Sequence, residues 1–399
     1  MRHASFGETL TAAVVISLMA GCVSGGGPVT ATSAVAEPTT LLVRLGNDTI
    51  GMERYTRGAR RIDGQVISRA PTVGVVRYSV SLGAGTMPTS ALLSARRGDG
   101  SLAPGAAQSL SVRFANDSVF YTAHSASGDT SRSIAARGEI LPYVNGSYGL
   151  AELAFARLRA ISRDSAPFVA MPLSFGNRSG FPMPVRLYGD SARIYFFGNP
   201  IYVRQDRGAV VAMDGRATTV KVRVERVGAV DLDSIAKEWA LREASAGTMG
   251  QASTRDTVRV TIGAAHVWVD YGRPALRGRN VWMNGVLGDT IWRTGANSAT
   301  QLSTDRDIMI GGTPVPAGTY SLWTWAGRNG YHLIVNRQAG QWGTEYHVDR
   351  DLARIPLRDA PLVSPVERFT IALTPTDASS GSLALSWGTK QLSVPVTVK

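Results

Sequence analysis

Six residues in the last third of the chain have types suited to ligand recognition: Asp270, Arg273, Arg277, Arg279, Arg293 and Asn297. An arginine fork grips carboxylate, phosphate or sulfate through two parallel hydrogen bonds. An asparagine reads amides and hydroxyls. Trp268, Trp282, Trp292, Trp323, Trp325 and Trp342 lie in the same stretch. Their flat faces partner sugars and cations. Together these residues imply binding of an anionic or glycan-like ligand. A structural role accounts for the same residues: Asp270 pairs with Arg273 or Arg293, Asn297 caps a turn, and the tryptophans fill a core. The structural role is favoured, because Arg–carboxylate pairs often organise turns between strands.

Signatures of catalysis are absent. The chain has no Gly-x-Ser-x-Gly, no His-Glu-x-x-His and no phosphate-cradling glycine loop. Ser234-Ile235-Ala236-Lys237 has the Ser-x-x-Lys spacing of acylating enzymes, but its partner motifs are missing, and the segment reads better as a helix start. Glu345, His347 and Asp349 offer oxygen and nitrogen ligands at close spacing. Exposed loop polarity explains them more simply, so neither a metal nor a cofactor is expected. The net charge of +12 is scattered, with Arg60-Arg61 and Arg96-Arg97 as the longest knots. That pattern argues against a nucleic-acid groove.

The single cysteine, Cys22, follows an apolar run from Thr11 to Ala20 and sits in Met19-Ala20-Gly21-Cys22. The run is too short to span a bilayer. This arrangement resembles the lipobox of bacterial lipoproteins. The resemblance implies cleavage before Cys22, acylation of its thiol, and a membrane-anchored protein of the cell envelope, on the periplasmic or outer surface. With Cys22 modified, no disulfide is possible. Residues 23–40 are rich in Gly, Ser, Thr and Ala and read as a flexible tether.

Gly 43 and Pro 19 in 399 residues favour many turns. From Leu41 onward, short period-two runs alternate with Gly, Asn and Asp, the pattern of an antiparallel meander. Asp63-Gly64 and Asp214-Gly215 are expected hairpin turns. Leu150–Ile161 repeats at helical spacing, and Asp231 is expected to cap a second helix over 234–244. A long meander with one helix is similar to the half-barrel of lipoprotein carriers. The phrase Ile50-Gly51-Met52-Glu53 adds to that likeness. In the last third, Ile308–Ile310 is expected to pair with Tyr320–Leu322 across the Pro316–Gly318 turn, and four more strands follow.

The phrases Tyr271-Gly272-Arg273-Pro274, Trp292-Arg293-Thr294-Gly295-Ala296-Asn297, Pro316-Ala317-Gly318-Thr319-Tyr320-Ser321-Leu322 and Gln341-Trp342-Gly343-Thr344 resemble domain-of-unknown-function family 2911. The resemblance implies a compact β-sandwich-like domain outside the cytoplasm and carries no catalytic residue with it.

The expected architecture is mainly β. A signal peptide (1–22) and tether (23–40) precede a half-barrel-like curved antiparallel sheet with a packed helix (41–230). A linking helix (231–253) and a C-terminal β-sandwich (254–399) follow. The expected function is that of an envelope-anchored, non-enzymatic binding or scaffold protein. The alternatives are a hydrolase of envelope polymers, or a carrier of lipid or another apolar ligand in the N-terminal half. A carrier needs a large apolar cavity between sheet and helix.

Overall fold

The computed structural model describes residues 37–174, 179–218, 221–250, 253–282, 291–327 and 330–398. The leader, Cys22 and most of the tether lie outside the described residues. Residues 36–399 form one compact unit. No helix among the described residues is long and apolar enough to cross a membrane.

The N-terminal half is built on one 14-stranded antiparallel sheet. Thr39–Leu45 lies inside that sheet rather than at its edge. From it the chain meanders through Asp48–Arg57, Arg61–Ser68, Gly74–Leu82 and Pro88–Arg97 to an edge at Gly128–Ala135. It then leaves the sheet and makes α1 (Ala151–Ala160). It returns from the opposite edge, and Val222–Val227 finally pairs with Thr40–Leu45. Strands from both wings share one apolar core with α1. Val119 and Tyr121 come from one wing and Ile194 and Val203 from the other, around Leu153, Phe155 and Leu158. The sheet therefore wraps the helix as an open half-barrel and does not close. A short sheet of Ile140–Tyr143, Val169–Pro172 and Phe181–Pro182 contributes Ile140 and Ala170 to the same core.

Period-two alternation sets the two faces. Tyr55 and Val66 point to the α1 core, while Met52 and Ile67 point the other way. Those outward residues meet α2 (Leu232–Ala246) through Leu232, Ala236 and Trp239. The helix expected to be a link is thus a cover on the sheet's outer face. Asp231 caps it as expected, accepting from the Asp233 and Ser234 backbone N–H groups. Ser234 of the Ser-x-x-Lys spacing is spent in that cap, its hydroxyl 2.6 Å from Asp231.

Asp63-Gly64 is no turn. Arg61–Ser68 runs straight through it, with Gly64 opposite Tyr55 on one side and Tyr78 on the other. A Cβ at Gly64 would lie 2.3 Å from the Tyr78 ring. The glycine is there to let that ring lie across the strand. Asp214 does end a strand, but the connection to Val222 is longer than a two-residue hairpin.

The C-terminal part is sandwich-like, with its own apolar core around Tyr271, Phe369 and Trp387. The four closing strands expected from sequence are fewer and longer: Gly330–Asn336, Asp351–Pro375 and Ser380–Val398. The first part of Asp351–Pro375 pairs with Gly330–Asn336 and the rest pairs with Ser380–Val398. Irregular register between Pro361 and Thr370 lets one strand serve both layers. Ile308–Ile310 pairs with Thr313–Val315 instead of the Tyr320 strand. Gly311 and Gly312 both have positive φ and make that tighter turn.

Candidate functional site

The six residues singled out from sequence do not converge. Asp270 forms an ion pair with Arg255 on the neighbouring strand. Arg273 holds Asp256 at 3.0 Å, the Phe369 carbonyl at 3.2 Å and the Thr370 hydroxyl at 3.0 Å. Arg277 reaches Asp48 of the N-terminal sheet at 2.6 Å, and its carbonyl accepts from the Asn47 backbone N–H at 2.9 Å. These three organise the structure. Arg279, Arg293 and Asn297 instead line one cavity of about 440 Å³. Of the six tryptophans, Trp292 and Trp323 are buried, whereas Trp342 is 44% exposed and stands at the rim of that cavity.

The cavity lies between the two sheets. Lys221, Asn199 and Phe197 come from the N-terminal side, and Arg279, Arg293 and Trp342 from the C-terminal side. No Asp or Glu lines it among the described residues. Lys221 donates to the Arg216 carbonyl at 2.8 Å. Arg293 donates to the Asn297 carbonyl at 3.2 Å, and Arg279 to the Leu276 and Ala275 carbonyls. Burial, then the nearby Arg293 and Arg279, pulls the Lys221 ammonium down to about 8. Burial alone pulls Arg293 down to about 10. Gly343 makes room for Arg293: a Cβ there would lie 2.1 Å from the Arg293 Cδ.

A second cavity, about 650 Å³, lies inside the half-barrel. Its wall combines sheet residues such as Leu93, Ile194 and Met213 with Leu150 and Ala151 at the start of α1. No charged side chain lines it among the described residues. Its aromatic side is a packed cluster: Phe181 lies 5.2 Å from Tyr143, 5.5 Å from Phe196 and 5.3 Å from Phe197, centroid to centroid. Phe197 and Trp342 line both this cavity and the cationic one.

Behind the apolar cavity a buried carboxylate fixes the α1 entrance. Glu53 accepts from the Tyr148 and Gly149 backbone N–H groups at 2.6 and 2.8 Å, from Tyr78 at 2.6 Å and from Ser147 at 2.5 Å. It does for the helix start what a local N-cap would do, since Leu150 supplies no side-chain cap. Burial still raises its pKa above the usual carboxylate range, against four hydrogen bonds that lower it. Glu152, in the first turn of α1, is tied to Tyr55, to Arg57 at 3.3 Å and to the Val210 backbone N–H at 2.7 Å.

Sequence reasoning missed one arrangement. The Ser111 hydroxyl is 2.8 Å from His124 Nε2, and His124 Nδ1 is 2.8 Å from Asp129. The hairpin closed by Ser125 and Gly128 puts His124 opposite Asp129, so a register count from that turn would have found the pair. All three lie on the outward face of the sheet. The Ser111 strand is paired on both sides, so its backbone donors are committed to ladders. Among the described residues no three of His, Cys, Asp and Glu gather to hold a metal, so Glu345, His347 and Asp349 form no such group.

Residues 253–396 match the family model described as "Protein of unknown function (DUF2911)". The match covers the sandwich-like part and brings no activity. No curated protein matches the chain. Among solved structures, the crystal structure of a DUF1089 family protein from Pseudomonas aeruginosa is similar over 41% of this chain and 89% of that one, at 11% identity and a TM-score of 0.32. A likeness that slight carries neither fold nor function.

Proposed function

We propose that this protein is a non-enzymatic binding protein of the cell envelope that carries a ligand with an apolar chain in its N-terminal half-barrel. In this reading residues 41–230 hold the ligand, 231–253 cover the outer face of that sheet and lead on, and 254–399 form a second domain that closes the mouth with Trp342. An acylated Cys22 keeps the protein at a membrane. The observation that carries the reading is the 650 Å³ cavity between curved sheet and α1, free of charged side chains among its described lining residues. Cavities of roughly 300–1,000 Å³ with mostly apolar walls are the size class of small-molecule sites. Proteins that fold around a core for stability alone rarely leave that much apolar wall without a partner.

The test is uptake of an apolar fluorescent probe by the purified protein, compared with Ala95→Trp. Ala95 lines the cavity on a strand, where a tryptophan is well tolerated and its bulk would occupy the space. Wild-type uptake that Ala95→Trp abolishes supports the reading. Equal uptake by both proteins, or none by wild type, removes it.

A second reading, a hydrolase, is favoured by the Ser111–His124–Asp129 relay alone. The relay has the order of contacts that activates a serine nucleophile. Ser111 lines an open groove of about 830 Å³ rather than an enclosing pocket, and the backbone donors of its strand are committed to ladders, whereas such chemistry needs enclosure and free oxyanion donors. A polar cross-strand ladder explains it with fewer demands. Hydrolysis of an activated ester by wild type, lost in Ser111→Ala, would reverse this order of preference.

A further inference from the structure

We infer that Lys221, Arg279 and Arg293 form an oxyanion site for the head of an amphiphile whose chain lies in the adjoining half-barrel cavity. The inference rests on the carrier reading and names its ligand class: a single alkyl or acyl chain ending in a compact phosphate or carboxylate.

Three observations carry it. First, three cationic groups line one cavity with no carboxylate among its described lining residues, and of the three it is Arg279 that has one nearby, Glu367. Cations brought together from two sheets repel one another, and a protein with 30 Asp and Glu had partners to offer. Elsewhere in this molecule the arginines that organise structure do have carboxylates, as Arg273 has Asp256 and Arg277 has Asp48. Second, donors are left over. Arg293 spends one contact on a carbonyl 3.2 Å away, and a guanidinium has five N–H groups. Lys221 spends one of three on the Arg216 carbonyl. A bound oxyanion would accept from both in charge-assisted bonds. Third, the two cavities share a wall. Phe197 and Trp342 line each of them, so a chain inside the half-barrel leads toward the cations past two aromatic side chains. Aromatic rings, apolar in body, suit the boundary between chain and head.

The division of labour follows from chemistry. The apolar cavity supplies affinity without discrimination, because burial of methylene groups is non-directional. The cations supply the discrimination between heads. A neutral head would leave the cations uncompensated, and a cationic head would add to their repulsion.

The experiment uses the purified full chain and competes four probes of equal chain length against an apolar fluorophore: dodecyl phosphate, dodecanoate, dodecanol and dodecyltrimethylammonium. Dodecyl phosphate is expected to bind at least about tenfold more tightly than dodecanol, and dodecyltrimethylammonium more weakly than either. In the double variant Lys221→Met, Arg293→Met that preference is expected to vanish while dodecanol binds as before. Methionine keeps an apolar stem, so unchanged dodecanol binding also reports an intact fold. The ratio of dodecyl phosphate to dodecanoate tells which oxyanion the site prefers, and either one exceeding dodecanol supports the site. Equal binding of dodecanol and both anions by wild type overturns the oxyanion site and leaves the carrier reading standing. Failure of all four probes overturns both. A preference that survives in the double variant overturns the assignment to these residues.

Discussion

Two charged groupings in this molecule, one buried and one half-buried, are built in opposite ways. Glu53, behind the half-barrel cavity, is fully buried and takes four hydrogen bonds from its own chain. Lys221 and Arg293, between the sheets, keep donors unspent, and the charges of Arg293 and Arg279 bear on Lys221. Burying a charge is tolerable when every lone pair or proton finds a partner. Glu53 meets that condition and therefore reads as architecture. The cations do not meet it, and a group left wanting at the wall of a cavity reads as a place for something else to bind. The contrast predicts that removing the two kinds of charge will change stability in opposite directions.

The largest expected effect is at Glu53. Glu53→Ala strands the Tyr148 and Gly149 N–H groups and opens a hole under Tyr78. The expected loss is roughly 2–4 kcal/mol by chemical denaturation. Glu53→Gln should lose far less, because a carboxamide can still accept from both backbone donors. The folded Glu53 carboxyl titrates above its ordinary range, so the folded state holds its proton more tightly than the unfolded chain. Its contribution is therefore complete below the ordinary glutamate range and declines as pH rises through the folded value. Glu53→Gln should flatten that decline. A Glu53→Ala protein as stable as wild type would dissolve the contrast from the architectural side.

Arg277 comes next. It links the Gly46-Asn47-Asp48 turn of the first sheet to the second, and its partner Asp48 is partly exposed. Arg277→Ala should cost about 1–2 kcal/mol, less than breaking a fully buried pair because water screens the aspartate. Melting followed separately by tryptophan fluorescence and by circular dichroism checks it. The C-terminal part carries seven of the eight tryptophans, so loss of coincidence between the two signals would show that Arg277 couples the two parts.

How much of this was legible in the sequence follows the range of each signal. Local signals worked: the Asp231 cap, the α1 periodicity and the mainly β reading all follow from residues within a few positions of one another. The Asp63-Gly64 turn misled because glycine has two uses, and the one at work here, space for the Tyr78 ring, is set by a strand paired across the sheet. The long bent strand was read as shorter pieces because its buried alternation lapses between Arg358 and Arg368, where the chain stays extended but changes layers. At the candidate site, Arg279, Arg293 and Asn297 were found by residue type, whereas Lys221, Phe197 and the half-barrel cavity were not. Lys221 lies far from Arg293 in the chain and meets it only where the sheets abut. A cavity has no residue signature, since its lining looks like core. The relay of His124 with Asp129 shows the intermediate case, legible once a hairpin register is counted.

The cationic side of the contrast predicts a smaller effect of opposite sign. Lys221→Met and Arg293→Met each remove an uncompensated charge and leave an apolar stem. Each should leave stability unchanged or raise it by up to about 1 kcal/mol. Gly343→Ala, whose new methyl would collide with Arg293, should weaken dodecyl phosphate binding without changing dodecanol binding. If either methionine variant lost stability on the scale of Glu53→Ala, the cations would be architecture after all.

The smallest effect is also the most specific. In the free protein Lys221 titrates near pH 8 because burial and the neighbouring arginines disfavour its charge. The folded chain binds this proton less tightly than the unfolded one, so stability should rise modestly between about pH 8 and the ordinary lysine range, and Lys221→Met should lack that rise. A bound oxyanion reverses the local electrostatics and favours the ammonium. Binding at pH 8–9 must then draw a proton from solution, and affinity must fall as pH rises through about 8. Arg293, held near 10, loses its proton only about two units higher. Arg279, also on the wall, is lowered from the ordinary arginine range by burial and by Arg277, against an opposing pull from Glu367. Tyr346 on the same wall is pushed up to about 12 by burial and by its hydrogen bond to Asp351, so it stays neutral throughout. Calorimetry of dodecyl phosphate binding at pH 8.5 in two buffers of different ionisation heat measures the proton directly. Uptake of a fraction of a proton, absent in Lys221→Met, would tie the ligand head to this lysine. No uptake, with affinity level from pH 7 to pH 9.5, would place the head elsewhere and leave the unspent donors of the cavity without an explanation.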